Sequence, residues 1–240
     1  VFWLSAFIDV PGDAFEESVA FWSAVTGWPP SDRRGVDGEF LTLVPPDDAD
    51  DHLRMQRIGD GEPRVHLDVH VPDPRAAAAR ASALGATEVA DPGHVVMRSP
   101  GGLTFCLVTH PASRPAPPSR WADLSTSLVD QVCLDVPRAT YDLETGFWQQ
   151  LLGWDRTGSS FAEFERLVRP EGQALRLLLQ RLDDEDGPAR AHLDVACSSR
   201  DREVVRHASL GARVVDERDA WTVLADPAGM RYCLTDRAPG

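Results

Sequence analysis

Two strings carry the side chains best suited to chemistry: Val65-His66-Leu67-Asp68-Val69-His70 and Ala191-His192-Leu193-Asp194-Val195-Ala196. An imidazole titrates near neutral pH and is a common metal ligand, and a nearby carboxylate fixes its orientation. If each string is a strand, alternation places His66, Asp68 and His70 on one face, while Ala196 interrupts that trio in the second string. Period-two positions on a strand stand ~6–7 Å apart, wide for ligands of a single ion. The expected role of Asp68 is therefore to orient a histidine or to bond backbone. Cys106 in Phe-Cys-Leu and Cys233 in Tyr-Cys-Leu form a second candidate pair. As nucleophiles they need an imidazole to lower the thiol pKa; as small apolar fillers they need nothing. Cys133 and Cys197 lie in apolar runs and read as core. The four cysteines form no CxxC pair and read as reduced thiols, which suits a cytoplasmic protein.

The missing residue types exclude much. All 24 basic residues are Arg, with no Lys and no Asn in the 240-residue chain. That excludes Schiff-base lysines, the P-loop lysine and N-glycosylation. A formal net charge of −14 argues against nucleic acid and anionic membranes as partners. No run approaches the ~20 apolar residues of a membrane span. The opening residues, with Asp9 and no basic stretch, do not read as a signal peptide. With 42% hydrophobic residues, a chain of this length can bury two small cores or one large one.

The candidate residues belong to a repeat. His66-Leu67-Asp68-Val69 returns as His192-Leu193-Asp194-Val195, an offset of 192 − 66 = 126. Ile8-Asp9-Val10-Pro11 returns as Leu134-Asp135-Val136-Pro137, and Phe21-Trp22 with Gly27-Trp28 returns as Phe147-Trp148 with Gly153-Trp154. Leu84-Gly85-Ala86 and Phe105-Cys106-Leu107 have counterparts at Leu210-Gly211-Ala212 and Tyr232-Cys233-Leu234. Residues 1–108 and 127–240 are thus two copies of one domain, joined by a Pro-rich linker at 109–126.

Each copy reads as strand, helix, strands, then strand, helix, strands. The first helix begins near Asp13, with Glu16 placed as in a capping box, and ends at Gly27; its counterpart spans about Thr140 to Leu152. Ala-rich and Arg-rich helical stretches span Pro74–Leu84 and Arg200–Leu210. Trp22 and Trp148 are expected to pack helix on sheet, and Trp3, Phe7, Phe40, Trp154, Phe161 and Trp221 to offer faces to a flat ligand.

These blocks resemble the vicinal oxygen chelate superfamily of glyoxalases, bleomycin-resistance proteins and extradiol dioxygenases. The resemblance rests on Phe-Trp…Gly-Trp, Gln56-Arg57 and Gln180-Arg181, Val65-His66-Leu67-Asp68, and Asp226-Pro227-Ala228-Gly229. It implies an α+β fold of two tandem glyoxalase-like domains, each a pair of βαβββ units forming a curled mixed-sheet cup. It also implies four metal-ligand positions per copy. These fall on Ser5, Gln56, His66 and Cys106 in the first copy, and on Gln131, Gln180, His192 and Cys233 in the second. One imidazole, neutral oxygens and a thiol make a poor set for a hard ion. The resemblance therefore implies a metal-free, cofactor-free protein that binds a small molecule through these eight residues. A glyoxalase-type lyase, isomerase or dioxygenase, and an inactive structural or regulatory domain, are the alternatives. A neutral or cationic ligand suits the acidic chain, as a monomer or homodimer. Cups could close within each copy, or by exchange of halves that sets Ser5 and Gln56 against His192 and Cys233.

Overall fold

A computed structural model describes residues 1–240. The first copy runs β1 (Trp3–Pro11), α1 (Phe15–Thr26), β2 (Phe40–Thr42), β3 (Leu53–Ile58), β4 (Arg64–His70), α2 (Pro74–Ala83), β5 (Thr87–Ala90), β6 (Val95–Arg98) and β7 (Thr104–Val108). The second runs β8 (Ser119–Arg120), β9 (Thr126–Val136), a 3-10 turn at Arg138–Thr140, α3 (Tyr141–Leu152), β10 (Arg156–Gly158), β11 (Phe164–Leu167), β12 (Arg176–Arg181), β13 (Arg190–Cys197), α4 (Arg200–Ser209), β14 (Arg213–Glu217), β15 (Trp221–Ala225) and β16 (Arg231–Thr235). No helix is long and apolar enough to cross a membrane.

Each copy forms one open mixed sheet. The first has the order β2-β3-β1-β4-β7-β6-β5, and the second β10-β11-β12-β9-β13-β16-β15-β14, with β8 paired to β9. β4 lies parallel to β7, and β13 to β16, because a helix and a hairpin intervene between the partners. Strand pairing thus stays within each copy. The end of the Pro-rich linker is itself part of a sheet, since Ser119 and Arg120 pair with Ser127 and Thr126.

β1 and β9 are the central strands. Trp3 to Val10 are buried without alternation, as expected for a strand covered on both faces. Along these strands the chain passes between two compact units. One comprises Val1–Ala6, His66–Arg114 and Val132–Ala191; the other comprises Phe7–Val65, Pro115–Gln131 and His192–Gly240. Each unit therefore takes opposite halves of the two copies. In the first, α3 brings Trp148 against Phe105 of β7, ring centroids 5.2 Å apart. In the second, α1 brings Trp22 against Tyr232 of β16 at 5.1 Å. The matched tryptophans do pack helix on sheet, each on a sheet supplied by the other copy.

Local chemistry explains the helix ends. Asp73 caps α2 by accepting from the Ala76 amide at 3.0 Å, and Pro74 occupies the first turn, where its missing N–H costs nothing. The capping box expected at Asp13 and Glu16 does not form. Helix α1 starts at Phe15 after Ala14, with no side-chain cap, because one further residue is used in the turn from β1. Gly27 and Gly153 both end their helices in the left-handed region at φ 71°. A Cβ at Gly153 meets nothing within 4 Å, while one at Gly27 would lie 3.3 Å from the Trp121 ring. Gly153→Ala is expected to cost about 1 kcal/mol from backbone strain alone, and Gly27→Ala more; urea denaturation of the two variants checks the order. Arginines of the second helices complete these ends: Arg206 donates to the carbonyls of Ala24 and Val25 at 3.0 Å, and Arg80 donates to Gln150 O. Ala24 and Gln150 are equivalent in the repeat, so the device is built twice.

Candidate functional site

Parallel pairing decides what the two histidine strings meet. In β4 and β7 the register sets Asp68 beside Cys106, and in β13 and β16 it sets Asp194 beside Cys233. Alternation carries His66 and His192 onto the same faces. Each copy thereby gathers a histidine, an aspartate and a cysteine whose donor atoms all lie within 4.8 Å of one another. In the second copy His192 Nε2 stands 3.3 Å from Asp194 Oδ1 and 3.5 Å from Cys233 Sγ. In the first, His66 Nε2 stands 3.8 Å from Asp68 Oδ1. The wide separation expected for period-two residues does not hold at the side-chain tips, because both side chains lean toward one point.

His70 is engaged elsewhere. It is fully buried, and its Nε2 lies 2.9 Å from Ser5 Oγ while its Nδ1 lies 2.9 Å from the His110 carbonyl. Ser5 is thus engaged with His70. The third member beside His66 and Asp68 is Cys106, which is equivalent to Cys233. The trio is a shared feature of both copies after all.

Gln131 donates to Asp194 Oδ2 at 2.5 Å, fixing that carboxylate with Oδ1 toward His192. On β12, Gln180 Oε1 lies 3.9 Å from the Cys133 thiol, which also lies 3.7 Å from Asp135 Oδ1, so Cys133 faces polar groups although it is fully buried. Gln56 is half-buried on β3, opposite Phe40. His66, Cys106, Gln131, His192 and Cys233 are therefore drawn into the two clusters, while Ser5 meets His70, Gln56 lies opposite Phe40 and Gln180 lies beside Cys133. Asp68 and Asp194 complete the clusters; their signal in the sequence was the exact recurrence of His-Leu-Asp-Val.

Other ionisable groups are structural. Burial pushes the Cys197 thiol pKa up, with the Glu203 charge adding to it, so Cys197 stays a thiol. His207 is fully enclosed, with Nδ1 2.9 Å from the Tyr232 hydroxyl and Nε2 3.2 Å from Glu203, and burial lowers its pKa. Arg237 forms a forked pair with Asp130 at 2.5 and 2.7 Å; burial opposes its charge, but Asp130 and then Asp194 hold it charged. Of the aromatics expected to face a ligand, Trp3 and Trp154 are buried, Phe7 pairs edge-on with Phe40, and Phe161 and Trp221 keep some exposure. An open cleft of about 970 Å³ lies among the loops of the second unit, lined by Asp13, Asp37, Glu39, Asp60, Glu62 and Arg57, but by no member of a trio.

Comparison with known proteins agrees with this architecture. A profile described as a glyoxalase-like domain matches residues 5–108 and again 131–235. No sequence among curated proteins matches the chain. Similar solved structures include a variant of 4-hydroxymandelate synthase from Streptomyces coelicolor, at 16% identity and TM-score 0.60, covering 98% of this chain and 93% of that one. The 2,2',3-trihydroxybiphenyl 1,2-dioxygenase of Sphingomonas wittichii aligns at 15% identity and TM-score 0.59, covering 96% and 88%. The 2,3-dioxygenase LapB of Pseudomonas sp. KL28 aligns at 14% identity and TM-score 0.62, covering 96% and 90%. At these identities the likeness is one of fold. Two tandem matches to one profile, together covering most of the chain, place it in the glyoxalase-like domain family.

Proposed function

We propose that the chain binds a small, neutral or cationic organic molecule at the His-Asp-Cys faces of its sheets, with the second-copy face as the principal site. The observation that carries this reading is the same histidine, aspartate and cysteine trio built twice, once on each sheet. In the second copy the imidazole is the most open of the three groups, 16% exposed against 4% for the Asp194 side chain. A ligand would meet a ring nitrogen first, with Gln131 and Asp194 holding the groups behind it. Proteins of this shape include ones named as trihydroxybiphenyl and 4-hydroxymandelate enzymes, so flat hydroxylated rings head the screen. Acidic ligands are disfavoured at long range by the net charge of −14.

The experiment is a thermal-shift and calorimetric screen of aromatic metabolites with and without a carboxylate. His192→Ala is expected to weaken the best ligand by about 1–3 kcal/mol while leaving the fold intact. Unchanged affinity in both His192→Ala and His66→Ala would take the binding site off these faces. The enzymatic reading, a glyoxalase-type lyase, isomerase or dioxygenase, is supported by the acid–base pair His192 and Asp194; ligand turnover abolished by Asp194→Asn would favour it over binding alone.

A further inference from the structure

One buried donor far from the trios has no acceptor within the protein. The Trp28 side chain is 2% exposed, and its indole Nε1 makes no hydrogen bond to any protein group. Its backbone, by contrast, is satisfied: the amide donates to Thr26 Oγ1 at 3.2 Å and the carbonyl accepts from Ser23 Oγ at 2.7 Å. A buried N–H without a partner is rare in native folds, because only a hydrogen bond offsets its desolvation. Trp28 lines a cavity of about 10 Å³, and no member of either trio does so. That volume corresponds to about one water-sized sphere, the least that admits a water molecule.

Three hydroxyls share the cavity wall with Trp28: Thr26 at the end of α1, Ser119 on β8 and Ser127 on β9. Ser119 and Ser127 are directly opposite each other in the antiparallel pair, so their side chains stand on one face. Each hydroxyl keeps capacity for one more bond. Ser119 Oγ donates to the Thr26 carbonyl at 2.5 Å and retains its lone pairs. Ser127 Oγ accepts from the Trp121 indole at 2.8 Å and still has its own proton to give. Thr26 Oγ1 donates to the Trp22 carbonyl at 2.8 Å, accepts the Trp28 amide, and retains one lone pair. A water accepting from Trp28 Nε1 and Ser127 Oγ, and donating to Ser119 Oγ and Thr26 Oγ1, uses all four of its positions. No charged side chain lines the cavity, so an ion has no counter-charge there.

We propose that Trp28, Thr26, Ser119 and Ser127 form a binding site for one ordered water molecule, which ties the end of α1 to the β8–β9 pair. The repeat supplies an internal comparison. At the offset of 126, Thr26 matches Leu152 and Ser127 matches Val1. The other compact unit therefore carries apolar side chains at two of the positions that bond the water here. Thr26→Leu introduces the residue of the matching position, removes one acceptor and fills space in the cavity.

The test is a high-resolution crystal structure of the full chain, together with oxygen-17 magnetic relaxation dispersion in solution, which counts long-lived waters and does not register hydroxyl protons. The crystal structure is expected to show an ordered water ~2.7–3.2 Å from Trp28 Nε1 and from the Ser119 or Ser127 hydroxyl. The dispersion amplitude of Thr26→Leu is expected to fall by one long-lived water relative to the parent. Should Thr26→Leu fail to fold by circular dichroism, Ser127→Val provides the same comparison. A Trp28 indole bonded to a protein acceptor, a crystal structure with no water at that point, or an unchanged amplitude in the folded variant would overturn the proposal.

Discussion

Glu144→Ala is expected to cost roughly 3–5 kcal/mol of unfolding free energy, because it strands three buried donors at once. Glu144 lies on α3 and is fully buried. Its carboxylate accepts from Ser99 Oγ and the Gly101 amide at 2.6 Å each, and from the Trp148 indole at 2.8 Å. Gly101 makes room for this carboxylate: a Cβ there would lie 2.8 Å from Glu144 Oε2. Glu144→Gln keeps the shape and one acceptor oxygen but turns an N–H₂ toward donors, so about half the loss is expected. Urea denaturation of both variants at neutral pH measures the difference, and an alanine variant within 1 kcal/mol of the parent would refute the account.

The same group gives a pH dependence of unusual sign. Burial raises the Glu144 pKa, and the three hydrogen bonds only partly offset this. A carboxyl whose folded pKa lies above its unfolded value of about 4.3 stabilises fully below that value and loses the contribution as pH rises through the folded pKa. The stability of the parent relative to Glu144→Gln therefore falls as pH rises from below 4.3. Denaturation of the two proteins across this range reads the slope directly; a flat difference would show that the carboxyl is not desolvated.

Trp22→Ala is expected to be comparably damaging, about 3–5 kcal/mol, through cavity formation around a fully buried ring. Its indole packs edge-on against Phe21 and Tyr232, and its N–H donates to Asp226 Oδ2 at 2.9 Å. Asp226 Oδ1 accepts from the Met230 amide at 2.9 Å, and burial raises this carboxyl too. Trp22→Phe keeps most of the packing and removes only the indole donor, so about 1–2 kcal/mol is expected. Equal stability of the alanine and phenylalanine variants would show that the hydrogen bond, not the ring volume, dominates.

The two carboxylates occupy exchanged places in the repeat. Glu144 corresponds to Ser18, and Asp226 corresponds to Ser99. One unit puts its acid on the helix and its serine in the loop; the other does the reverse, and Ser18 Oγ is left buried without a hydrogen-bond partner. A tryptophan indole donates to the acid in both. The physical requirement is a single acceptor beneath the indole, and either strand loop or helix can supply it.

Much of this organisation is legible in the residues themselves. The 126-residue offset fixes two copies, and the helix periods with Gly27 and Gly153 fix where the first helices end. The strand alternation of His66 with Asp68 and of His192 with Asp194 places each pair on one face. The family likeness supplies the α+β class. What lies beyond the sequence is pairing between segments far apart in the chain. The parallel register that sets Cys106 beside Asp68 and Cys233 beside Asp194 is fixed by hydrogen bonds across dozens of residues, not by local spacing. Alternation puts His70 on the face of His66 and Asp68, but only the fold shows that Ser5 and the His110 carbonyl take both its nitrogens. Nor could composition decide that each sheet stays within a copy while the first helix of each copy, α1 and α3, packs on the sheet of the other. Two copies with nearly identical apolar faces offer either partner equal chemistry, and only tertiary packing chooses between them.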